Sequence, residues 1–188
     1  MRFAALVVVG GLALSASVLA QATPVEYRVL ATTRTSTMEK EMNQAADAGF
    51  RFQAVMGGET AAGGKESVCV MSRTGSKGHF RYKLLATSRT STMQKEMQLA
   101  ADDGFEFKGQ TVFESLLGGR EVVIVMELDK DHPATGWNYR LLATNRTGTM
   151  EKELGEVGDL GYQVVGLTVG QTITGGKELV SITRRKRQ

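Results

Sequence analysis

Residues 26–50 read EYRVLATTRTSTMEKEMNQAADAGF, and related stretches read RYKLLATSRTSTMQKEMQLAADDGF at 81–105 and NYRLLATNRTGTMEKELGEVGDLGY at 138–162. Extended to residues 26–73, 81–128 and 138–185, the three segments align without a gap and share 16 identical positions. Self-similarity at a fixed spacing is typical of an architecture built from repeated units. The sequence therefore predicts three tandem repeats, at residues 25–73, 80–129 and 137–185. The segments that join them are polar and contain Gly or Pro, as linkers do.

Each repeat has the pattern of a strand, a helix and two further strands. In the first repeat, Tyr27, Val29 and Ala31 share one face of the opening strand, because side chains alternate along a strand. Met38 and Met42 begin an apolar stripe at helical spacing, which continues through two alanines. Two aromatic residues then start a second strand, and a Gly-Gly pair turns it into an apolar third strand. The prediction is β-α-β-β.

Local signals predict where each helix begins and ends. Ser36-x-x-Glu39 and Ser91-x-x-Gln94 have the spacing of capping boxes, in which the serine and the later side chain satisfy free N–H groups at a helix start. In the third repeat Gly148 takes the serine position. A glycine in the left-handed conformation commonly ends a helix, and the predicted terminating residues are Gly49, Gly104 and Gly161.

The predicted fold class is α+β, with three tandem β-α-β-β repeats whose helices pack on an antiparallel or mixed sheet. A unit of about 48 residues buries too little surface to be comfortably stable alone. We therefore expect the three repeats to pack together. Two arrangements fit the sequence: a pseudo-threefold cluster, or a row of repeats that share sheet edges.

Composition and charge exclude several classes of protein. The chain of 188 residues is 41% hydrophobic and 23% charged and has one cysteine, which excludes full disorder, a collagen-like chain and a disulfide scaffold. The formal net charge is +3, but five basic residues lie at the chain ends: Arg2, Arg184, Arg185, Lys186 and Arg187. Removing those five leaves −2, so the body lacks the basic character of a nucleic-acid-binding domain. Residues 184–188 read as a basic C-terminal tail, either frayed or in contact with a polyanion.

The N-terminus has the order of a secretory signal peptide. Arg2 precedes an apolar run from residue 4 to residue 14, and small residues follow. Residues 1–20 are the predicted signal peptide, with cleavage after Ala20 or Ala22. The alternative is an uncleaved anchor, since residues 4–20 approach the shortest spanning length. We expect an exported protein, periplasmic or extracellular, without a stable membrane span after cleavage.

The third repeat carries a resemblance to a known family. Tyr139-Arg140-Leu141-Leu142, Glu153-Leu154 and residues 160–165 (LGYQVV) resemble the small bacterial domain-of-unknown-function family 4177. That family pairs an opening Tyr strand with a helix that ends in Gly, an aromatic residue and a β run. The chain departs from it in having Tyr162 or Phe where Trp is common, and in its added Arg-Thr-x-Thr-Met element. The resemblance applies to each repeat separately and implies a fold but no activity.

The Arg-Thr-x-Thr-Met element is the candidate functional site. It lies between the first strand and the helix, where free N–H groups and the helix dipole attract anions and an arginine adds a bidentate donor. The functional hypothesis is one anion or carboxylate pocket per repeat. The structural alternative is that the threonines cap the helix and the arginine pairs with Glu66, Glu121 or Glu178. The candidate ligand-binding residues are Arg34, Thr35, Thr37, Arg89, Thr90, Thr92, Arg146, Thr147 and Thr149.

No other motif supports catalysis, a metal or a cofactor. The Gly-Gly-Lys-Glu segment lacks the spacing and the strand-to-helix context of a phosphate-binding loop. Cys69 aligns with Ile124 and Ser181, which predicts a core position and not a reactive thiol. His79 and His132 lie in linkers without a ligand cluster. We expect no enzyme activity.

Two functions remain open on the sequence alone. The first is a non-catalytic exported binding or assembly module whose three repeats present sites or sheet edges to a protein partner or to other copies of itself. The second is a carrier of a small anion or another small molecule, with one site per repeat at the helix N-terminus.

Overall fold

The structure, a computed structural model, describes residues 24–59, 65–75, 78–87, 89–114, 120–134, 136–171 and 177–187. Three helices and nine strands follow one another in the order that the repeats predict. They are β1 (Glu26–Thr32), α1 (Thr35–Asp47), β2 (Arg51–Glu59), β3 (Lys65–Arg73), β4 (Phe80–Thr87), α2 (Thr90–Asp102), β5 (Glu106–Glu114), β6 (Arg120–Asp129), β7 (Trp137–Thr144), α3 (Thr147–Asp159), β8 (Gln163–Gln171) and β9 (Lys177–Lys186). The prediction of three β-α-β-β repeats in an α+β fold is confirmed.

The helices end where the sequence predicts and begin earlier than it predicts. Gly49, Gly104 and Gly161 have positive φ of 86°, 89° and 81°, the left-handed conformation that ends a helix. At the other end, the N-cap residue of α1 is Arg34, and no side chain caps the helix. Ser36 therefore lies inside the first turn, and the predicted capping boxes are wrong. The Glu39 carboxylate contacts the next repeat instead, as described below.

Each repeat forms its own antiparallel sheet of three strands. The third strand of the repeat lies in the centre, so the orders are β1-β3-β2, β4-β6-β5 and β7-β9-β8. A central strand has neighbours on both edges and packing on both faces, which suits an apolar run such as residues 122–126. The second strand carries a register shift at one place in every repeat, between Phe52 and Ala54 in the first.

The repeats stack in layers. Helix α1 packs against its own β1 and more extensively against β4 of the next repeat, and α2 packs in the same way against β4 and β7. Beside the helices, β2 packs directly against β5, and β5 contacts β8. Each repeat therefore meets the next one through both its helix and its second strand. The sheets remain separate, so the predicted sharing of sheet edges is wrong, and a linear stack replaces the pseudo-threefold cluster.

The hydrophobic core lies at the two contacts between neighbouring repeats. One cluster combines Met38, Met42 and Phe52 of the first repeat with Tyr82 and Leu84 of the second. A second cluster joins the second and third repeats in the same manner. Since each cluster draws on two repeats, neither repeat would bury its share alone, as expected for a repeat protein.

The basic residues near the C-terminus belong to the fold. Arg184 to Lys186 are the last residues of β9, and Arg184 forms an ion pair with Glu106. Arg187 contacts Asp102 and donates a hydrogen bond to Asn138. The prediction of a basic tail is therefore wrong for residues 184–187, which are held by pairing with β7 and by contacts with the second repeat. Residue 188 lies outside the described residues.

Two sequence-based predictions lie outside the described residues. They are the signal peptide at residues 1–20 and the Gly-Gly turns at 63–64, 118–119 and 175–176. Among the helices that the structure describes, none combines the length and the apolar character needed to cross a membrane.

Candidate functional site

The contact between successive repeats involves two surfaces that recur in every repeat. We call the outer side of the helix, together with the helix side of the second strand, the back face. The front face is the side of the sheet opposite the helix, to which all three strands contribute. The back-face positions are Glu39, Asn43, Ala46, Phe52 and Val55 in the first repeat, with their equivalents Gln94, Gln98, Ala101, Phe107 and Gln110, and Glu151, Gly155, Gly158, Val164 and Leu167. The front-face positions are Phe80, Tyr82, Leu84, Val123, Val125 and Glu127 in the second repeat, with their equivalents Val25, Tyr27, Val29, Val68, Val70 and Ser72, and Trp137, Tyr139, Leu141, Val180, Ile182 and Arg184.

We call the contact between the first and second repeats the first joint, and the contact between the second and third repeats the second joint. In the first joint, side chains of α1 form hydrogen bonds with the backbone at the free edge of β4. Asn43 donates to the Tyr82 carbonyl at 2.9 Å and accepts from the Tyr82 N–H at 3.0 Å. The Glu39 carboxylate accepts from the Leu84 N–H at 2.8 Å. An edge strand presents unpaired backbone groups, which are costly to bury without partners. The helix of one repeat therefore supplies the hydrogen bonds that the next sheet lacks.

The second joint repeats this arrangement with glutamines. Gln94 donates to the Tyr139 carbonyl at 2.8 Å and accepts from the Leu141 N–H at 2.7 Å. Gln98 accepts from the Tyr139 N–H at 3.0 Å and donates to the Trp137 carbonyl at 3.2 Å. These two glutamines occupy the positions of Glu39 and Asn43. The hydrogen bonds to the edge of the next sheet are therefore kept, although the side chains differ.

A buried tyrosine anchors the first joint. The Tyr82 hydroxyl accepts from the Phe52 N–H and donates to Glu127, both at 2.8 Å. Arg51 pairs with the other oxygen of Glu127 at 2.8 Å. Burial and the Glu127 charge raise the pKa of Tyr82 well above its usual range, and the hydrogen bond to Glu127 raises the pKa of Arg51. The tyrosine is therefore neutral and serves as a donor to a carboxylate that is almost fully buried.

The second joint has an equivalent buried tyrosine, Tyr139, but its ion pair has the opposite arrangement of charge. The Tyr139 hydroxyl accepts from the Phe107 N–H at 2.9 Å, and burial raises its pKa. Glu106 occupies the position of Arg51, and Arg184 occupies the position of Glu127. Their ion pair measures 2.6 Å. The first joint thus pairs a cation of the earlier repeat with an anion of the later repeat, and the second joint has the reverse.

The ion pair of the second joint predicts a dependence of stability on pH. Burial disfavours the charged form of Glu106, but hydrogen bonds from Lys108 and Arg184 outweigh this effect and lower the pKa of its carboxyl. A carboxyl with a lowered folded-state pKa contributes stability above its unfolded-state pKa and loses it as the pH falls through the folded value. We expect urea unfolding to show that Glu106→Gln is less stable than wild type at pH 7. The two should converge as the pH falls below the unfolded-state pKa of about 4.3 and through the lowered folded-state value.

A surface carboxylate provides the control for this titration. Glu156 is 65% exposed and pairs only loosely with Lys152 in helix α3, so Glu156→Gln should follow the wild-type curve throughout. Parallel curves for wild type and Glu106→Gln would contradict the contribution assigned to Glu106.

In each joint, a glycine also leaves space for an aromatic ring of the preceding repeat. A Cβ at Gly109 would lie 3.0 Å from the Phe52 ring. A Cβ at Gly166 would lie 3.0 Å from the Phe107 ring and 2.6 Å from Gln110 Oε1. Such distances are too short for an unstrained contact. The phenylalanine on the back face therefore depends on the missing side chain opposite it.

The outermost front and back faces have no repeat packed on them. Tyr27 is 68% exposed and Val29 is 63% exposed, whereas their equivalents Tyr82 and Leu84 are 3% and 9% exposed. At the other end of the stack, Val164 is 54% exposed, although Phe52 and Phe107 are both 8% exposed. The surfaces that form the core between repeats are thus open at both ends of the chain.

The structure places the nine predicted ligand-binding residues at the starts of the three helices. Arg34, Arg89 and Arg146 are exposed N-cap residues, and the backbone N–H of each donates to the hydroxyl of a threonine two positions earlier. The threonines Thr35, Thr37, Thr90, Thr92, Thr147 and Thr149 lie in the first turns. The element therefore forms three separate sites, one per repeat, and anion binding there stays a prediction.

One of those threonines also contacts the neighbouring repeat. The Thr90 hydroxyl donates to Glu178 at 3.5 Å, a long hydrogen bond from helix α2 to strand β9. Glu178 is one of the three carboxylates expected to pair with the arginines, and the side chain of Glu121 lies outside the described part of the structure.

The remaining reactive side chains do not form a site. Burial raises the pKa of the Cys69 thiol to about 12, so the thiol stays protonated, in agreement with a core position. His79 lies beside Asp131 in the second linker, and His132 lies beside Asp129, the last residue of β6. Within the described ranges, no group of three or more His, Cys, Asp or Glu side chains could hold a metal ion.

Comparison with known proteins finds no matching family model, no matching curated protein and no matching solved structure. The resemblance to family 4177 therefore stays a prediction.

Sequence reasoning from the invariant positions missed the residues that form the joints. Asn43 aligns with Gln98 and Gly155, and Arg51 aligns with Glu106 and Gln163. These positions differ between repeats because two of the three face different neighbours and the third lies at an open end. The signal that could have revealed them is the compensating change at a second position, where Ser72 aligns with Glu127 and Arg184.

Proposed function

We propose that the chain is a non-catalytic, exported assembly module whose two end faces bind partners. The observation that supports this function best is the exposure of apolar front-face and back-face residues at the ends of the stack. The same positions form the buried core between repeats, so their chemistry is suited to a stable interface. Exposed apolar patches of this kind mark interaction surfaces in soluble proteins. The signal peptide predicted at residues 1–20 supports export.

A carrier function has less support. The arginines at the helix starts are exposed. Two surface grooves among the described residues lie elsewhere: one is lined by Val25, Tyr27 and Phe80 among others, and another by Leu160 and Arg185 among others. A helix N-terminus attracts anions in any protein, so the position alone does not favour a dedicated carrier.

Hydroxyl-radical footprinting tests the proposed function. Tyr27 and Met56 lie on the open front face and are each 68% exposed, so both should oxidise readily in the dilute purified protein. In intact cells that produce the protein, a partner of any kind on that face should slow their oxidation several-fold.

Two residues serve as controls in the footprinting experiment. Leu99 is 65% exposed on helix α2, away from the end faces, and should oxidise equally in both settings. Tyr82 lies in the first joint and should be protected in both. Equal oxidation of Tyr27 and Met56 in cells and in dilute solution would contradict the assembly function.

A further inference from the structure

We infer that the partner is a second copy of this chain: the front face of its first repeat binds the back face of the third repeat of another copy. This inference rests on the proposed assembly function and identifies the partner. It adds a joint of the same kind as the two inside the chain. Such an interface joins two different surfaces, so it propagates from copy to copy and does not close as a symmetric dimer.

The exposed apolar residues are concentrated on these two faces. Of the nine large hydrophobic side chains exposed in the described residues, four lie on the open front face: Val25, Tyr27, Val29 and Met56. Three more lie on the open back face: Val164, Leu167 and Val169. Each is equivalent to a position that contributes to an internal joint. The two faces therefore have the apolar surface that an additional joint requires.

The charges of the three possible joints are mutually compatible. The internal joints pair Arg51 with Glu127 and Glu106 with Arg184. At the open ends the equivalent residues are Gln163 in the third repeat and Ser72 in the first. A contact between copies would thus bring together two neutral polar side chains and bury no unpaired charge, which would be expensive.

The sizes of the side chains are compatible as well. Inside the chain a phenylalanine on the back face requires a glycine on the front face, at Phe52 with Gly109 and at Phe107 with Gly166. At the open ends the equivalent pair is Val164 with Ala54. The shorter valine leaves space for the one extra methyl group of alanine. Relative to the internal joints, the back-face residue is smaller and the front-face residue is larger. In the same way, both charged residues of the ion pair are replaced by neutral ones.

The open edge of β1 offers hydrogen-bonding groups to the incoming helix. In the first joint the Glu39 carboxylate accepts from the N–H of Leu84. The equivalent pair at the ends is Glu151, which lies on the exposed surface of α3, and Val29. A second copy would therefore place a carboxylate where the backbone of β1 has a donor. Gly155, at the position of Asn43, supplies no side chain, so this joint has fewer hydrogen bonds than the internal ones.

A mixing experiment tests whether the front face of one copy binds the back face of another. Tyr27→Glu blocks the front face and Leu167→Glu blocks the back face, because each places a charge where apolar contact is needed. By sedimentation velocity, the purified wild-type chain should form larger species as its concentration rises. Each variant alone should remain a monomer, because every contact needs one intact face of each kind. An equimolar mixture should form a species of twice the chain mass and nothing larger, through the one intact pair of faces.

Matched controls separate this result from unfolding or aggregation. Both substituted side chains are exposed, so circular dichroism and the melting temperature of either variant should match those of the wild type at low concentration. Leu99→Glu adds the same charge at a residue that is 65% exposed but outside both faces, and it should associate like the wild type.

The alternatives give different outcomes, and each would overturn the inference. A wild-type chain that stays monomeric at every concentration would exclude self-association, whether its faces bind another protein or are covered by residues 1–23. A Leu167→Glu variant that still dimerises alone would indicate a symmetric front-to-front contact. Protection of Tyr27 in cells together with a monomeric purified chain would leave the assembly function standing and reject the second copy as the partner.

Discussion

Replacing Tyr82 with alanine should lower the free energy of unfolding by about 3–5 kcal/mol, the usual cost of removing a buried aromatic side chain. The residue is 3% exposed and lies in the core cluster shared by the first two repeats. Its loss would leave a cavity between them and would remove the hydroxyl that bridges Phe52 and Glu127. Urea unfolding followed by circular dichroism, at a concentration where the chain is monomeric, measures the change.

The repeat itself provides a matched control for this substitution. Tyr27 occupies the same position in the first repeat but is 68% exposed, so Tyr27→Ala should change the stability of the monomer by no more than about 0.5 kcal/mol. The conservative Tyr82→Phe should cost about 1–3 kcal/mol, because it leaves a buried carboxylate and a backbone N–H without one partner each. Similar losses for Tyr27→Ala and Tyr82→Ala would contradict the assignment of the core to the joints.

The stacked architecture also predicts which part of the chain Tyr82→Ala destabilises. In a linear repeat protein, stability is close to a sum of repeat terms and nearest-neighbour terms. Tyr82→Ala weakens only the first joint, so the first repeat should unfold before the other two. The transition should therefore broaden, whereas Tyr27→Ala should leave its shape unchanged.

The sequence predicted the elements of the fold well because their signals are local. Helical spacing of Met38 and Met42 and the glycine at position 49 depend only on neighbours a few residues away. The capping-box prediction failed for a physical reason: the carboxylate of Glu39 is as able to accept from the edge of the next sheet as from its own helix. A local pattern cannot distinguish these two partners.

The stacking of the repeats and the joints could not be predicted in the same way. Alternation along residues 26–32 indicated a strand with one apolar face, and that face is covered in two repeats and open in the first. Whether sheets share edges or stack through helices depends on surfaces far apart in sequence. The invariant Arg-Thr element drew attention to the helix starts, although the residues that determine how repeats pair, such as Arg51 and Glu106, are those that vary.

Exchanging the charges of one joint tests whether these pairs determine which repeats can pack together. Arg51→Glu should destabilise the chain by about 2–4 kcal/mol, because it places a second carboxylate beside the buried Glu127. This range lies below the cost for a fully buried pair because the Arg51 side chain is 46% exposed. The double variant Arg51→Glu with Glu127→Arg has the arrangement found in the second joint, and it should recover more than half of the loss. The measurement is again urea unfolding of the monomer.

The recovery should be incomplete for a reason visible in the structure. Lys108 lies 3.7 Å from Glu127, so an arginine at position 127 would have a cation beside it, whereas the equivalent neighbour in the second joint is Val165. Gln163→Glu is the matched control, since position 163 is exposed at the open end and its cross-strand neighbour, Arg184, is a cation and not a buried carboxylate. It should change stability by no more than about 0.5 kcal/mol. If the changes in unfolding free energy caused by Arg51→Glu and Glu127→Arg simply added in the double variant, the two residues would not stabilise the joint as a pair. Charge would then not explain how each back face pairs with its own front face.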